Sequence, residues 1–282
     1  METIQLIGVF IFGSIVGSFL NVCIYRLPRE KSLWKPSRSY CPHCHEMIAW
    51  HDNIPLISYF ALNAQCRHCG SHIAGRYVVV EFLTAVLFTV TFAMLRGRGE
   101  GLPVTAVYMA MVGALIAGSF IDIELRIIPN SITIGGMVLA PILSIMIPEL
   151  HSDSWSHFGR GYVFFKNNHL LGPLAASVVG AAAGAGITWV FGVLGKLIFR
   201  REAMGFGDVK LMAFIGGLLG WQQALLVFFV APIFGLTIAL IHLLRTKDHH
   251  IPYGPFLSIA AWATILAGDR IFALVQLDVL MR

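Results

Sequence analysis

Charged side chains are scarce in this chain. Only 12% of its 282 residues are Asp, Glu, Lys or Arg, whereas soluble domains average about 25%, and 57% of the residues are hydrophobic. This shortage excludes an ordinary soluble protein and predicts an all-α polytopic membrane protein, with about eight transmembrane helices in the lipid bilayer. Basic residues in membrane proteins report topology, so the net charge of +5 does not make nucleic acid an expected partner.

Two familiar signals are also missing. Residues 1–25 lack a basic amino-terminal region and a small-residue cleavage site, so we expect their apolar run to remain as the first transmembrane span. The polar insert at 26–76 contains no glycine-rich dinucleotide fingerprint. The sequence therefore does not locate a pocket for a nucleotide-like cofactor.

Cysteine is rare, but four of the five cysteines form two CxxC motifs within the polar insert. They are Cys41, Cys44, Cys66 and Cys69. This pattern favours a structural zinc site with four thiolate ligands over two local disulfides or free thiols, since the basic flanks indicate a reducing cytoplasm. The alternative ligands nearby are His43, His45 and His68. The fifth cysteine, Cys23, lies in the first span, where we expect it to pack.

Two acidic residues lie at the ends of apolar segments. Asp122 ends the third segment, and Asp208 lies in Gly-Phe-Gly-Asp-Val-Lys at 205–210, where a basic loop enters another segment. Such acids are costly at a membrane helix, and Gly205 and Gly207 allow a sharp turn and a close approach. An ionised carboxylate that activates water and a protonated one that donates to a carbonyl form an aspartyl protease. The alternative role for Asp208 is helix capping.

Two further acids are candidates for supporting roles. Glu81 lies just inside the second span, where it is either functional or paired with Arg76. Glu124 follows Asp122 by two residues, so on a helix the two side chains point apart, and we expect Glu124 to pair with Arg126 or a backbone group. The predicted supporting residues are Gly205, Gly207, Lys210, Glu81 and Glu124.

The distribution of basic residues places both aspartates on one face. With eight spans, the odd-numbered connections and Lys210 carry fourteen Lys and Arg residues, against six on the side of the termini. The odd-numbered connections are 26–76, 122–130, 196–208 and 245–252. The positive-inside rule makes this side cytoplasmic and both termini external. Asp122 and Asp208 then reach the same cytoplasmic face.

The apolar spans and the polar insert divide the chain into three predicted parts. Residues 1–25 are the first span, residues 26–76 the cytoplasmic zinc insert, and residues 77–282 a membrane peptidase domain. The apolar run at 208–244 is too long for one crossing, so we expect a turn at 216–221 to divide it. A polar, aromatic loop at 148–168 has no role that the pattern reveals.

The motifs, in this order, resemble the type IV prepilin peptidase family, the bifunctional leader peptidases/N-methyltransferases of bacteria, which are GxGD aspartic membrane proteases. The matching segments are 17–28, the CxxC insert, 53–55, Arg76-Tyr77 with Glu81, 122–124 with 128–129, 205–210 and 253–256. A lone GxGD would be weak, whereas the ordered set is specific.

This resemblance implies that Asp122 and Asp208 are the catalytic acids. The substrates it implies are prepilins and pseudopilins of type IV pili or type II secretion. Their short basic leader is cut after Gly at the cytoplasmic face of the inner membrane. It also implies methylation of the new N-terminus by S-adenosylmethionine, an activity linked to the insert at 26–76, and eight spans with external termini.

Two other readings fit less well. A GxGD protease of the presenilin type would carry a Pro-Ala-Leu motif and a Tyr-Asp pair, whereas here Phe120-Ile121 precedes the first acid and the late motif is Tyr-Gly-Pro-Phe. A non-enzymatic membrane scaffold with a zinc knob would tolerate loss of both acids. A transporter would favour an inverted repeat or a pair of broken helices, and neither is convincing here.

Overall fold

The computed structural model describes residues 3–34, 39–151, 170–200, 204–246 and 252–275. Within these ranges the chain is helical, and its only β-pairing is two isolated bridges, which confirms the predicted fold class. The helices are α1 (Thr3–Arg26), α2 (Ile57–Ala61), α3 (Arg76–Gly97), α4 (Leu102–Leu125), α5 (Asn130–Met146), α6 (Leu171–Phe199), α7 (Phe206–Leu219), α8 (Trp221–Thr246) and α9 (Gly254–Val275).

Four of these helices, α1, α3, α4 and α6, are long and apolar enough to cross a membrane. Helices α5, α8 and α9 contain shorter apolar stretches, and α7 has 14 residues. Leaving aside the short α2, the described part of the chain therefore contains eight α-helices, at the positions where the sequence predicts eight spans. The helix lengths and composition agree with a membrane protein.

Backbone geometry sets the helix ends near the two predicted acids. Gly220 has φ of 86° between α7 and α8, a conformation that glycine adopts without strain, so the run at 208–244 is divided within the predicted turn. Arg126 ends α4 with φ of 57° and donates its N–H to the carbonyl of Asp122 at 2.9 Å. Pro129 is extended and precedes α5, as expected for a residue that stops one helix before the next.

Most of the polar loop at 148–168 lies outside the described residues. Its first four residues, Pro148–His151, form a short 3-10 helix. The buried His151 Nε2 lies 2.9 Å from Ser144 Oγ, and that hydroxyl donates to the carbonyl of Ala140. The beginning of the loop is therefore attached to α5.

The chain separates into two compact units, Met1–Ile121 and Asp122–Arg282. This division is based on how compactly the chain packs, and it cuts through the end of α4. The division after residues 25 and 76 is based on expected function, and it stays a prediction.

In the first unit, α1 and α3 pack backbone against backbone. A Cβ atom at Gly13 would lie 2.7 Å from the Cα atom of Ala85, and one at Gly17 would lie 2.6 Å from the Cα atom of Glu81. Small residues four apart allow membrane helices this close approach. The contact fixes Glu81 beside α1.

In the second unit, α6 and α7 pack equally closely. A Cβ atom at Gly180 would lie 2.1 Å from the carbonyl oxygen of Gly216, and one at Gly184 would lie 2.3 Å from that of Met212. Real Cβ atoms do not approach backbone atoms to such distances, so the two helices can hold this spacing only with glycine. Because α7 carries Asp208 in its first turn, this packing positions one of the two predicted catalytic acids.

Replacing Gly180 with Ala should therefore force α6 and α7 apart. Overpacking of this kind costs about 1–3 kcal/mol, so we expect a clearly lower midpoint of thermal unfolding in detergent. Gly186→Ala on the same helix is the matched control, because a Cβ atom there meets nothing within 4 Å. Equal midpoints for the two variants would contradict the close packing.

Candidate functional site

Asp122 is buried in the last turn of α4, with 7% of its surface exposed. Its Oδ2 atom accepts a hydrogen bond from the backbone N–H of Gly254 at 3.0 Å. Gly254 is the first residue of α9, and the first amides of a helix have no partner within it. A helix start also carries partial positive charge, so it is a suitable place to hold a carboxylate.

Asp208 is held in a related way in the first turn of α7. It is 8% exposed, and its Oδ2 atom accepts a hydrogen bond from the backbone N–H of Gly205, the N-cap residue, at 3.2 Å. The capping role considered from the sequence is therefore present. It does not exclude chemistry, because capping alone requires neither burial nor a second carboxylate nearby.

The side chain of Ile128 lies against both glycine segments. A Cβ atom at Gly207 would be 3.5 Å from the Cβ atom of Ile128, and one at Gly254 would be 3.2 Å from its Cδ1 atom. Asp122 and Asp208 are close enough for their charges to interact. The structure thus brings together the two acids that the sequence predicts to act as a pair.

Tyr253 and Gly254 are site residues to which the sequence pattern assigned no role. Tyr253 is half-buried, interacts electrostatically with Asp208 and lies 6.5 Å from Phe256, ring centre to ring centre. A larger residue at Gly254 would displace the Asp122 carboxylate, since its Cβ atom would lie 2.8 Å from Oδ2 of Asp122. The Tyr-Gly-Pro-Phe segment was the signal that marked them.

Two of the predicted supporting residues lie at the edge of this arrangement. Lys210 donates through Nζ to Oδ1 of Asn130 at 2.8 Å and lies 5.0 Å from the ring centre of Phe206. This contact joins the beginnings of α7 and α5. Glu124 is exposed while Asp122 is buried, as expected for residues two apart on a helix.

Glu81 belongs to the first unit, where it is 8% exposed. Its Oε2 atom accepts a hydrogen bond from the backbone N–H of Leu56 at 2.8 Å, and Ser18 provides a second contact. Leu56 has φ of 64° and ψ of −50°, which is an unusual conformation for a bulky residue. In this structure Glu81 fixes the insert to α3.

The four paired cysteines form a cluster with the geometry of a metal site. The Sγ atoms of Cys41, Cys44, Cys66 and Cys69 all lie within 4.8 Å of one another. Tetrahedral zinc with Zn–S bonds of about 2.3 Å separates its sulfurs by roughly 3.8 Å, and the Sγ atoms of Cys41 and Cys69 are 3.8 Å apart. The four thiols therefore fit a zinc ion, and no histidine joins this cluster among the described residues.

The two CxxC segments fold alike. In each, the first cysteine accepts a hydrogen bond at its carbonyl from the residue four positions later, His45 or Gly70, at 2.9 Å. Both residues have positive φ, at 60° and 69°. Antiparallel bridges close the two segments and pair Tyr40 with Met47 and Gln65 with His72. The hydroxyl of Ser71 beside Cys69 lowers the pKa of that thiol, which favours the thiolate that zinc binds.

Asp52 links the second CxxC segment to the 3-10 helix Trp50–Asn53. Arg67 donates through Nε and Nη2 to the two carboxylate oxygens of Asp52 at 2.7 and 2.6 Å. The guanidinium group holds the pKa of the Asp52 carboxyl below its usual range. The bidentate geometry orients the two segments relative to each other.

Comparison with known proteins identifies the family of this chain. Residues 11–95 match the Bacterial Peptidase A24 N-terminal domain, and residues 109–240 match the Type IV leader peptidase family. The prepilin leader peptidase/N-methyltransferase of Aeromonas hydrophila is 35% identical over 93% of this chain and 91% of its own length. The chain belongs to the type IV prepilin leader peptidase family. The resemblance noted from the motifs is confirmed.

Other members of this family are similar over comparable lengths. Proteins of the same name from Pseudomonas putida and Neisseria gonorrhoeae are 32% and 29% identical, over 93% and 94% of this chain and 91% and 92% of their own lengths. No solved structure matches the chain significantly. Family membership and the apolar helices together make this a membrane protein.

The name of these relatives includes a methyltransferase, which implies S-adenosylmethionine. Nucleotide-containing cofactors are commonly held where a strand meets a helix through a glycine-rich turn. The described residues contain isolated bridges and no such strand, so this structure does not identify residues that fit the cofactor.

Changing both Cys41 and Cys44 to Ser should release the zinc. Two remaining thiolates hold the ion poorly, so we expect its content to fall from about one ion per chain to near zero by elemental analysis. Cys23→Ser is the matched control, because Cys23 is a buried cysteine of α1 outside the cluster. Unchanged zinc in the double variant would contradict the four-cysteine site.

Proposed function

We propose that this chain is an aspartic endopeptidase that removes the short basic leader from prepilins or pseudopilins after Gly, and that it then methylates the new N-terminus. The observation that carries the proposal is the pairing of Asp122 and Asp208. Both are buried, they interact with each other, and each is held by a glycine amide at a helix start. Membership of the leader peptidase family supports the same reaction.

In this mechanism the two carboxyl groups share the acid and base roles. One, ionised, takes a proton from water, and the other, protonated, donates to the carbonyl of the scissile bond. The contacts to Gly205 and Gly254 both use Oδ2, which leaves Oδ1 of each acid for water or substrate. Two interacting acids titrate as a unit, so neither is assigned a fixed role.

The position of the acids in their helices suits a membrane-embedded substrate. Asp122 lies at the end of α4 and Asp208 at the beginning of α7, so each is at the edge of an apolar segment. A pilin whose apolar helix lies in the bilayer presents its leader junction at this level. The excess of basic residues in the odd-numbered connections supports a cytoplasmic site in the inner membrane, with both termini periplasmic.

The insert at 26–76 is assigned to the methyltransferase activity, and residues 77–282 to the peptidase. In this proposal Cys41, Cys44, Cys66 and Cys69 hold zinc as a structural cross-link, since four thiolates complete its coordination and leave no open position for catalysis. S-adenosylmethionine supplies the methyl group when it binds.

Replacing Asp122 or Asp208 with Asn should abolish leader cleavage. Asn keeps the shape but loses the proton chemistry, so we expect the rate to fall at least about 10²-fold. The measurement is mass spectrometry of a prepilin incubated with each purified variant. Thermal unfolding near the wild-type midpoint shows that the variant is folded.

Glu124→Gln is the matched control for this experiment. Glu124 is an exposed carboxylate two residues from Asp122, and we expect its loss to leave cleavage nearly unchanged. Substantial cleavage by either Asn variant would remove that aspartate from the catalytic pair. Undiminished function of both would favour the non-enzymatic scaffold.

The same Asn variants should still methylate a pilin that has already lost its leader. The acids lie in the second compact unit, whereas the insert lies in the first, so the two reactions use different residues. With S-adenosylmethionine present, mass spectrometry should show one added methyl group on the pre-cleaved pilin. Loss of methylation in both folded Asn variants would contradict separate sites.

A further inference from the structure

The short helix α2 presents an apolar face that the described residues leave uncovered. Ile57 and Phe60 are 64% and 69% exposed, and at a spacing of three residues they share one side of the helix. Ser58 is 8% exposed and binds inward, where its hydroxyl contacts the N–H of Ile54 and the carbonyl of His51. The insert therefore has a defined inner side and a defined apolar outer side.

The depth of α2 relative to the membrane helices follows from Glu81. Glu81 is the sixth residue of α3, about 7.5 Å along the axis from Arg76 at 1.5 Å per residue. Its side chain tilts toward the helix N-terminus and binds the N–H of Leu56, the residue before α2. The beginning of α2 thus lies alongside the first two turns of a helix that is long enough to span the membrane.

A second contact supports this placement. A Cβ atom at Gly75, the residue before α3, would lie 3.7 Å from the hydroxyl of Tyr59 in α2. The backbone of Leu56 and the side chain of Tyr59 therefore both face the beginning of α3. The whole of α2 is therefore held beside the beginning of α3, a helix long and apolar enough to cross a membrane.

Other exposed apolar side chains lie near the beginning of α3. Val79 and Phe82, on the first turns of α3, are 51% and 55% exposed, as expected for side chains that face lipid. Asn21 of α1 donates to the carbonyl of Tyr77 at 3.0 Å, so the end of α1 lies beside the beginning of α3.

Basic side chains follow the end of α1. Arg29 and Lys31 lie 4.4 and 5.2 Å from the ring centre of Tyr25. Lys and Arg next to the end of an apolar helix complement the anionic headgroups of phospholipids.

We propose that α2 lies in the interfacial layer of the bilayer, with Ile57 and Phe60 toward the acyl chains and Arg29 and Lys31 at the level of the phosphates. The partner of this surface is an anionic phospholipid membrane. Amphipathic helices bind such interfaces by burying one apolar face, and Ile57 and Phe60 give the five-residue α2 such a face. The zinc-binding insert is then held against the membrane rather than projecting into the aqueous phase.

A tryptophan at position 60 reports the environment of this face. Phe60→Trp is a conservative change at an exposed aromatic position. The fluorescence of the wild-type protein, which comes from its six native tryptophans, is subtracted from that of the variant. The protein is placed in nanodiscs with one chain per disc, containing phosphatidylglycerol and phospholipid brominated near the top of the acyl chains. Zinc content near the wild-type value shows that the insert is folded.

Met47→Trp is the matched control, since Met47 is 64% exposed, close to the 69% of Phe60, but lies in the first CxxC segment. We expect the Phe60→Trp reporter to be quenched several-fold more by brominated lipid, and several-fold less by aqueous acrylamide, than the Met47→Trp reporter. A Phe60→Trp reporter that acrylamide quenches freely and brominated lipid does not would overturn the proposal. A reporter that leaves water only when prepilin is added would overturn it in favour of the substrate as occupant.

Discussion

The candidate active site depends on two backbone amides that hold carboxylates at the edge of an apolar region. A carboxylate withdrawn from water needs hydrogen-bond donors, and at Asp122 and Asp208 the amides of Gly254 and Gly205 supply them. An amide brings no full positive charge, unlike Arg or Lys. Among the described residues, the hydrogen bonds to the pair therefore come from backbone amides and not from a counter-ion that would fix both acids in the ionised form. This arrangement is compatible with the shared proton of the proposed aspartic mechanism.

These amides are useful only if two helix starts are held at the same place, and glycine packing achieves this. Helix α7 is fixed on α6 by the contact between Gly180 and Gly216. The Ile128 side chain fills the space between the segments that carry Gly207 and Gly254. A larger residue at Gly180 would push α7 away from α6, and one at Gly254 would displace the Asp122 carboxylate and crowd Ile128. Helix packing away from the acids thus helps to set the positions of their carboxylates.

Much of this could be predicted from the sequence because the informative patterns are local. Long apolar runs predict the helices, and CxxC spacing predicts the cluster of four cysteines that the structure contains. Acids at the ends of apolar runs single out Asp122 and Asp208 as the candidate pair. The contacts of Gly254 with Asp122 and of Leu56 with Glu81 were not predictable. In both contacts the donor is a backbone amide. Every non-proline residue has such an amide, so only the distances in the folded chain show which amide reaches the carboxylate.

The insert faces a physical problem that differs from that of the acids. At about fifty residues it is too short to build a large core, and a metal cross-link replaces that core. A zinc ion bound by the four thiols would make the segment rigid internally but would not orient it. The hydrogen bond from the Leu56 N–H to Glu81 provides the orientation by using α3 as a support. A pilin that has lost its leader keeps its apolar helix in the bilayer, so its new N-terminus stays at the membrane surface. In the proposed reaction, an insert held at that same surface would meet the N-terminus within a thin layer, whereas one on free linkers would have to search a volume.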